Sequence, residues 1–337
     1  MKNQTLARLL LFMLCVVNPS AWAAETNELR VLNGTGGIGF LQLYIMSQQK
    51  SVEKYATQLG HPTLKVSYMN FGGPSVANDA LLSGSADIVP AGPPGFITMW
   101  DRTRTSAQVK GVAAMASLPM YLNTRNPRIH SIRDITAQDK IAIIAIKVSV
   151  YALILQMAAR KEFGPSKTFS LDQYTVGLPH AEGVAALTSR GGEIDLHFTG
   201  APFSDLELKD PRVKTILNSD EVMGGATSFT MLYTTTKFHD ANPITYKAFL
   251  QALQDATAYI NDDKNRAAEL YLESIGGKRQ NLAETQAMFT NPSNIFTTTP
   301  QNVLKYARFM KEIGTIKNEP SGWKDLFFSE VHALPGS

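Results

Sequence analysis

Residues 34–39 read Gly-Thr-Gly-Gly-Ile-Gly, a literal G-x-G-x-x-G, and they follow a short apolar run, Leu29–Asn33. Glycines so placed can bring a backbone against a pyrophosphate at a helix start. Dinucleotide binding also needs an acidic residue about 20 positions on, at the end of the next strand, to hold the ribose. The next apolar run here, Leu64–Asn70, ends in Asn and leads into Phe71-Gly72-Gly73. Without the acid, the glycines read as a strand-to-helix turn whose free N–H groups can approach some other ligand.

Other groups that could do chemistry are scattered. His180 lies two residues before Glu182; the pair could act as a base in an enzyme, but in a loop it reads as a solvated pair. His197 falls mid-strand, where a satisfied structural histidine is the default. His61, His130, His239 and His332 lack metal-ligand spacing. The acids are dispersed, Asp262-Asp263 reading as a helix start, and neither a Ser-His-Asp order nor a G-x-S-x-G elbow is present. No cofactor is expected, and the chain does not read as an enzyme.

The N-terminus sets the compartment. Lys2 and Arg8 precede the apolar run Leu9–Val17, which is followed by Asn18-Pro19-Ser20 and Ala21-Trp22-Ala23. This is the layout of a secretory signal peptide, 1–23, with cleavage expected after Ala23 and a periplasmic location. The run falls short of the ~20 residues that span a bilayer. The one cysteine, Cys15, would leave with the signal, so disulfides and thiolate chemistry are not expected. Lys2 and Arg8 also carry two of the three net positive charges. No basic run interleaved with aromatics remains to bind nucleic acid.

From Leu29 to about Gly200, short apolar runs alternate with longer amphipathic ones, the pattern of a mostly parallel sheet flanked by helices. Strands are expected at Leu29–Asn33, Leu64–Asn70, Ile88–Ala91, Lys140–Ala145, Tyr174–Gly177 and Ile194–Thr199. Helices are expected at Phe40–Leu59, Pro74–Ser83, Pro94–Asp101, Ser149–Phe163 and Glu182–Arg190, then from an Asn242-Pro243 cap onward. An internal echo organises them: Ala80–Phe96 resembles Ala186–Phe203, with equal spacing from Asp87 to Gly92 and Pro94 and from Asp195 to Gly200 and Pro202. Two similar α/β lobes follow, 24–122 with 229–337 and 123–228, joined by hinge crossings. Ligands of α/β sheets bind at the carboxyl ends of strands.

Helix N-termini there leave N–H groups free and favour anions without a buried arginine. Five could converge: after Gly39, after Gly73, at Pro93-Pro94, at Ser149 and after Gly200. The candidate ligand-binding residues are Thr35, Gly37, Phe40, Gly73, Ser75, Pro94, Ser149, His180, Thr199 and Phe203, with Phe71, Phe96 and Phe229 as further aromatics. Lys147 is the one basic residue in these loops, which suits a monoanion or a neutral heteroaromatic ring, unless Arg102, Arg104 or Arg125 reaches in.

The ordered series of the export signal, the glycine turn, Phe71-Gly72-Gly73, Leu82–Ile88, Gly92-Pro93-Pro94, Ile129–Ile135 and the Asn242-Pro243 helix resembles periplasmic substrate-binding proteins of ABC importers. The branch it resembles is the nitrate/taurine/aliphatic-sulfonate and thiamine-precursor group. The resemblance implies a two-lobed type II clamshell that closes on a small molecule and delivers it, as a monomer, to a permease and its ATPase subunit. Where that group has a Gly/Ser-rich loop after the Lys140–Ala145 strand, this chain has Ile146–Tyr151, so only Ser149 carries over there. Two rivals remain at this point: a same-fold enzyme related to thiamine-pyrimidine synthesis, and a ligand-sensing module for a membrane receptor.

Overall fold

The computed structural model describes residues 25–34, 37–70, 74–147, 149–189, 191–276 and 281–337. The expected signal segment, Thr35, and Phe71 to Gly73 lie outside them. The chain opens with β1 (Glu28–Leu32), a 3-10 turn at Ile38–Phe40, α1 (Leu41–Gln49), α2 (Ser51–Gln58) and β2 (Lys65–Met69). The single helix expected over Phe40–Leu59 is thus two, broken at Lys50, whose left-handed φ of 49° closes the first and opens the second. There follow α3 (Pro74–Ser83), β3 (Val89–Ala91), α4 (Pro93–Arg102), β4 (Val109–Ser117) and β5 (Met120–Thr124).

Next come β6 (Ile141–Ile143), α5 (Val150–Phe163), β7 (Thr175–Gly177), α6 (His180–Thr188), β8 (Leu196–Gly200), α7 (Phe203–Glu207), β9 (Lys214–Asn218) and α8 (Ser219–Met223). The chain ends with β10 (Ser228–Thr235), α9 (Thr236–Ala241), α10 (Pro243–Asp262), α11 (Lys264–Ser274), α12 (Leu282–Thr290), β11 (Ile295–Phe296) and α13 (Val303–Glu312). Helix α6 starts two residues earlier than the periodicity suggests. Asn242 does not cap α10 by its side chain; the Glu25 carboxylate does, accepting from Ile244 N and Thr245 N at 2.7 and 2.9 Å.

The strands form two α/β lobes. In lobe I, β1 pairs in parallel with β2 and touches Ile88 beside β3, which joins the run β3-β10-β4-β11. Lobe II has the order β7-β6-β8-β5-β9, with β6 parallel to both neighbours and β5 antiparallel to β8 and β9. The chain leaves the first sheet at Ser117, enters the second at Met120, and returns between Met223 and Ser228. The C-terminal helices pack mainly on lobe I and reach lobe II through Arg160–Glu312 at 3.0 Å and Lys305 Nζ, which donates to Met223 O at 2.7 Å. The architecture is thus two-lobed, with mixed sheets flanked by helices.

The internal echo has a hydrogen-bond counterpart. Asp87 accepts from the backbone N of Arg30 at 2.8 Å and returns its own N–H to Arg30 O. Asp195 does the same with Lys140, at 3.0 Å in both directions. Each aspartate ties the strand after a helix to a neighbouring strand of its sheet, Asp87 to β1 and Asp195 to the start of β6. The glycines that follow, Gly92 and Gly200, lie against the segments that cross between the sheets, near Phe229 O and Pro119 O.

Candidate functional site

Gly34 and Gly39 are used for close packing, and Gly37 for its backbone conformation. A Cβ at Gly34 would fall within 2 Å of the Phe40 ring, at 1.8 Å from Cγ, so the ring lies directly over the glycine. Gly37 has φ of 95°, a conformation that side chains rarely adopt. Gly39 faces Leu118, Phe229 and Thr230, with a built Cβ 3.2–3.3 Å from each.

Phe229, the second residue of β10, is the meeting point. Gly92, before α4, would bring a Cβ to 3.3 Å from Phe229 O and 3.7 Å from Val150 at the start of α5. Tyr151 stands edge-on to Phe229 with ring centroids 6.2 Å apart, and its hydroxyl lies 3.7 Å from where a Cβ on Gly200 would sit. Four of the five expected helix starts therefore gather around Phe229 and Tyr151. The fifth, α3, begins directly after residues that lie outside those described.

Their capacity to hold an anion is smaller than the sequence suggests. Pro93 and Pro94 occupy the first two positions of α4 and have no N–H, and Pro94 is buried. Helix α7 has five residues. Ser149 does cap α5, its hydroxyl accepting from Ala152 N at 3.2 Å. Ser75 lies in the first turn of α3, which begins at Pro74. Arg104 lies over Trp100, 4.7 Å from the ring centroid, and Arg125 donates to Ser189 O, so both are engaged elsewhere. Among the described residues, no group of three or more His, Cys, Asp or Glu side chains could hold a metal, and no helix is long and apolar enough to cross a membrane.

The lobe II wall is aromatic, with a polar chain behind it. His180, first residue of α6 and half-buried, packs against Phe203 at 5.2 Å, Tyr151 at 5.0 Å and His197 at 5.3 Å between ring centroids. It is not the solvated loop partner of Glu182 that the sequence suggested; its Nδ1 lies 3.1 Å from both His197 Nε2 and Thr199 Oγ1. His197 is satisfied on both nitrogens, as expected of a strand histidine, the second contact being Nδ1 with the Glu207 carboxylate. Glu207 also accepts from Asn123 Nδ2 at 2.9 Å, and Asn123 accepts from Thr215 Oγ1 at 2.7 Å. His197, Thr199 and Glu207 are all 0 % exposed, so the candidate Thr199 is covered and meets His180 through its hydroxyl.

Burial, helped by the neighbouring His197, pulls His180 down to about 3, so its ring is neutral near pH 7. Burial likewise pushes the Tyr151 hydroxyl up, and that side chain stays un-ionised. Gly183 lets α6 approach: a Cβ there would stand 2.6 Å from two atoms of the His197 ring. Tyr151, Gly183, Glu207 and Asn123 were not candidates from the sequence. The available signals were a glycine inside a helical pattern and a mid-strand histidine.

No family profile and no curated protein matches the sequence. Solved structures do. The chain is similar to the periplasmic aliphatic sulphonate binding protein SsuA from Escherichia coli, with TM-score 0.66, 16% identity, and 90% of this chain and 93% of that chain covered. It is also similar to the alkanesulfonate-binding protein SsuA from Xanthomonas axonopodis pv. citri bound to MOPS, with TM-score 0.68, 16% identity and coverage of 91% and 98%. A third is the ligand-binding component of an ABC-type import system from Staphylococcus aureus with zinc bound, with TM-score 0.62, 17% identity and coverage of 92% and 98%. At these identities the likeness defines the fold.

Proposed function

We propose that the chain is the solute-binding component of an ABC-type importer. It is exported to the periplasm, loses its signal peptide after Ala23, and works as a monomer without cofactor or catalysis. The two lobes, divided near residues 122 and 228, close about the β4–β5 and β10 crossings on a small organic anion of the sulfonate, taurine or nitrate kind, or on a small heteroaromatic nutrient. The closed form then docks on the permease and its ATPase subunit. The observation that carries this reading is the gathering of helix starts and aromatic rings at Phe229 and Tyr151, where both lobes meet the returning strand. The names of the structural neighbours support transport over sensing.

The lips of the cleft fit closure. Val76 at the start of α3 and Ile144 and Ile146 after β6 are exposed apolar side chains on opposite lobes. Closure that brings them together would remove that surface from water. An enzyme reading asks for a base near neutrality, and His180 is held far below it.

The test is a thermal-shift panel on residues 24–337, unfolded and refolded to strip bound solute. The panel holds taurine, alkyl- and arylsulfonates, nitrate, bicarbonate, thiamine pyrimidines, riboflavin and aromatic carboxylates. A true solute at 100-fold its dissociation constant stabilises by about 2.7 kcal/mol, a shift of several degrees. A flat panel from folded protein contradicts the reading.

A further inference from the structure

Counting from Asp87 and Asp195, the two lobes differ in kind at three matched places. Val89, Ala91 and Met99 of lobe I stand where lobe II has His197, Thr199 and Glu207. All six are buried, none more than 4 % exposed. Lobe I shows that this scaffold accepts apolar side chains there, and replacing a buried ion pair by well-packed apolar residues is often neutral or stabilising. The polar set in lobe II is therefore not demanded by the fold. Its outlet toward the cleft is His180, its other end being the exposed Thr215.

The order of hydrogen bonds fixes what that outlet presents. Glu207 holds a proton on His197 Nδ1. Taking His197 Nε2 as the donor in its contact with His180 Nδ1 gives that nitrogen a hydrogen to accept. Thr199 can donate to the same nitrogen. With Nδ1 accepting, a neutral His180 carries its hydrogen on Nε2, which has no partner among the described residues. Beside it the Tyr151 side chain is 4 % exposed, and its hydroxyl has no partner among the described residues either. Around both lie the faces and edges of Phe203 and Phe229.

We propose that Glu207, His197 and Thr199 are positioning residues that set His180 as an uncharged N–H donor to the cleft, and that the solute is a planar, uncharged ring whose acceptor atom takes that hydrogen. Aromatic walls favour a ring by stacking and edge contacts. A neutral donor favours an uncharged acceptor over an anion. The proposal rests on the solute-binding reading and narrows it to one ligand chemistry.

The test has two arms on residues 24–337. In the first, histidine-labelled protein is examined by nitrogen NMR at pH 7, the His180 ring being assigned by its loss in His180→Phe. The expected signature is hydrogen on Nε2 and a bare Nδ1; hydrogen on Nδ1, or on both, overturns the proposal. In the second, nicotinamide, nicotinate and ethanesulfonate are titrated into the chain and into the triple variant H197V/T199A/E207M, which carries the lobe I residues and whose folding is checked by circular dichroism. Nicotinamide is expected to bind at least about tenfold more tightly than nicotinate, ethanesulfonate least, and the triple variant to lose that preference. Tighter binding of nicotinate or ethanesulfonate overturns the ring and its donor while leaving the solute-binding reading intact. Silence from all three up to about 10 mM also overturns the ring. Silence from the wider panel as well takes the solute-binding reading with it.

Discussion

Lobes I and II share a strand order, a tying aspartate and a Gly-x-Pro turn into a helix, yet they put different materials behind that turn. In lobe I, Gly92 leads into two prolines and a ten-residue helix whose inward Met99 is packed among apolar neighbours. In lobe II, Gly200 leads into a five-residue helix whose Glu207 turns back beneath β8 to meet His197 and Asn123. On the proposed reading, lobe I offers the cleft backbone and rings, and lobe II adds the polar side chain of His180. A clamshell needs both lobes to close, but it needs only one to read polarity.

The sharpest way to break this comparison is to give lobe I a lobe II residue. Met99→Glu places a carboxylate in lobe I without His197 or Asn123 to receive it, and is expected to cost about 3–5 kcal/mol, the scale for an uncompensated buried charge. Urea unfolding would measure it; a loss below about 1 kcal/mol would mean that the matched positions are not equivalent.

Gly183→Ala probes the approach of α6. Alanine is the better helix former by about 1 kcal/mol, but its methyl would meet the His197 ring at 2.6 Å. Overpacking of that kind costs about 1–3 kcal/mol, so the variant is expected to be less stable and to bind solute more weakly. A gain in unfolding midpoint would show that the ring has room to move.

Acid sharpens the same point. The groups around His180 are His197 and Glu207 behind it, Tyr151 beside it and the exposed Glu182 on its own helix. A histidine held near 3 when folded and near 6.5 when unfolded binds more protons unfolded. Its contribution is complete above about pH 6.5 and is lost as pH falls toward 3, by at most about 1.4 kcal/mol per pH unit. His180→Phe should flatten that part of the stability profile. An unchanged slope would place the acid sensitivity elsewhere.

The smallest effect is expected at Ser149→Ala, which removes the α5 cap for about 0.5–2 kcal/mol of stability. Binding should weaken by about 0.5–1.5 kcal/mol if the hydroxyl also meets the solute. Calorimetric titration with any thermal-shift hit separates the two.

Much of the scaffold is legible in the sequence because strands such as Ile141–Ile143 and helices such as Val150–Phe163 carry local apolar patterns and a local cap. The Asp87/Asp195 echo is legible for the same reason, since each aspartate sits at a fixed step before its strand. The site is less so. Glu207 reads as one more surface acid on a short polar stretch, and only the fold buries it under His197. Likewise Glu25 reaches α10 across more than two hundred residues to take the capping role that Asn242 seemed to hold. Proximity of that range leaves no trace in periodicity.

The central claim is that two lobes close on a solute at Phe229 and Tyr151. Small-angle scattering of residues 24–337, with and without a compound that raises the unfolding midpoint, tests it most directly. The account predicts a smaller radius of gyration on binding, lost in Tyr151→Ala. Binding with no contraction, or contraction that survives loss of Tyr151 with full affinity, would contradict it.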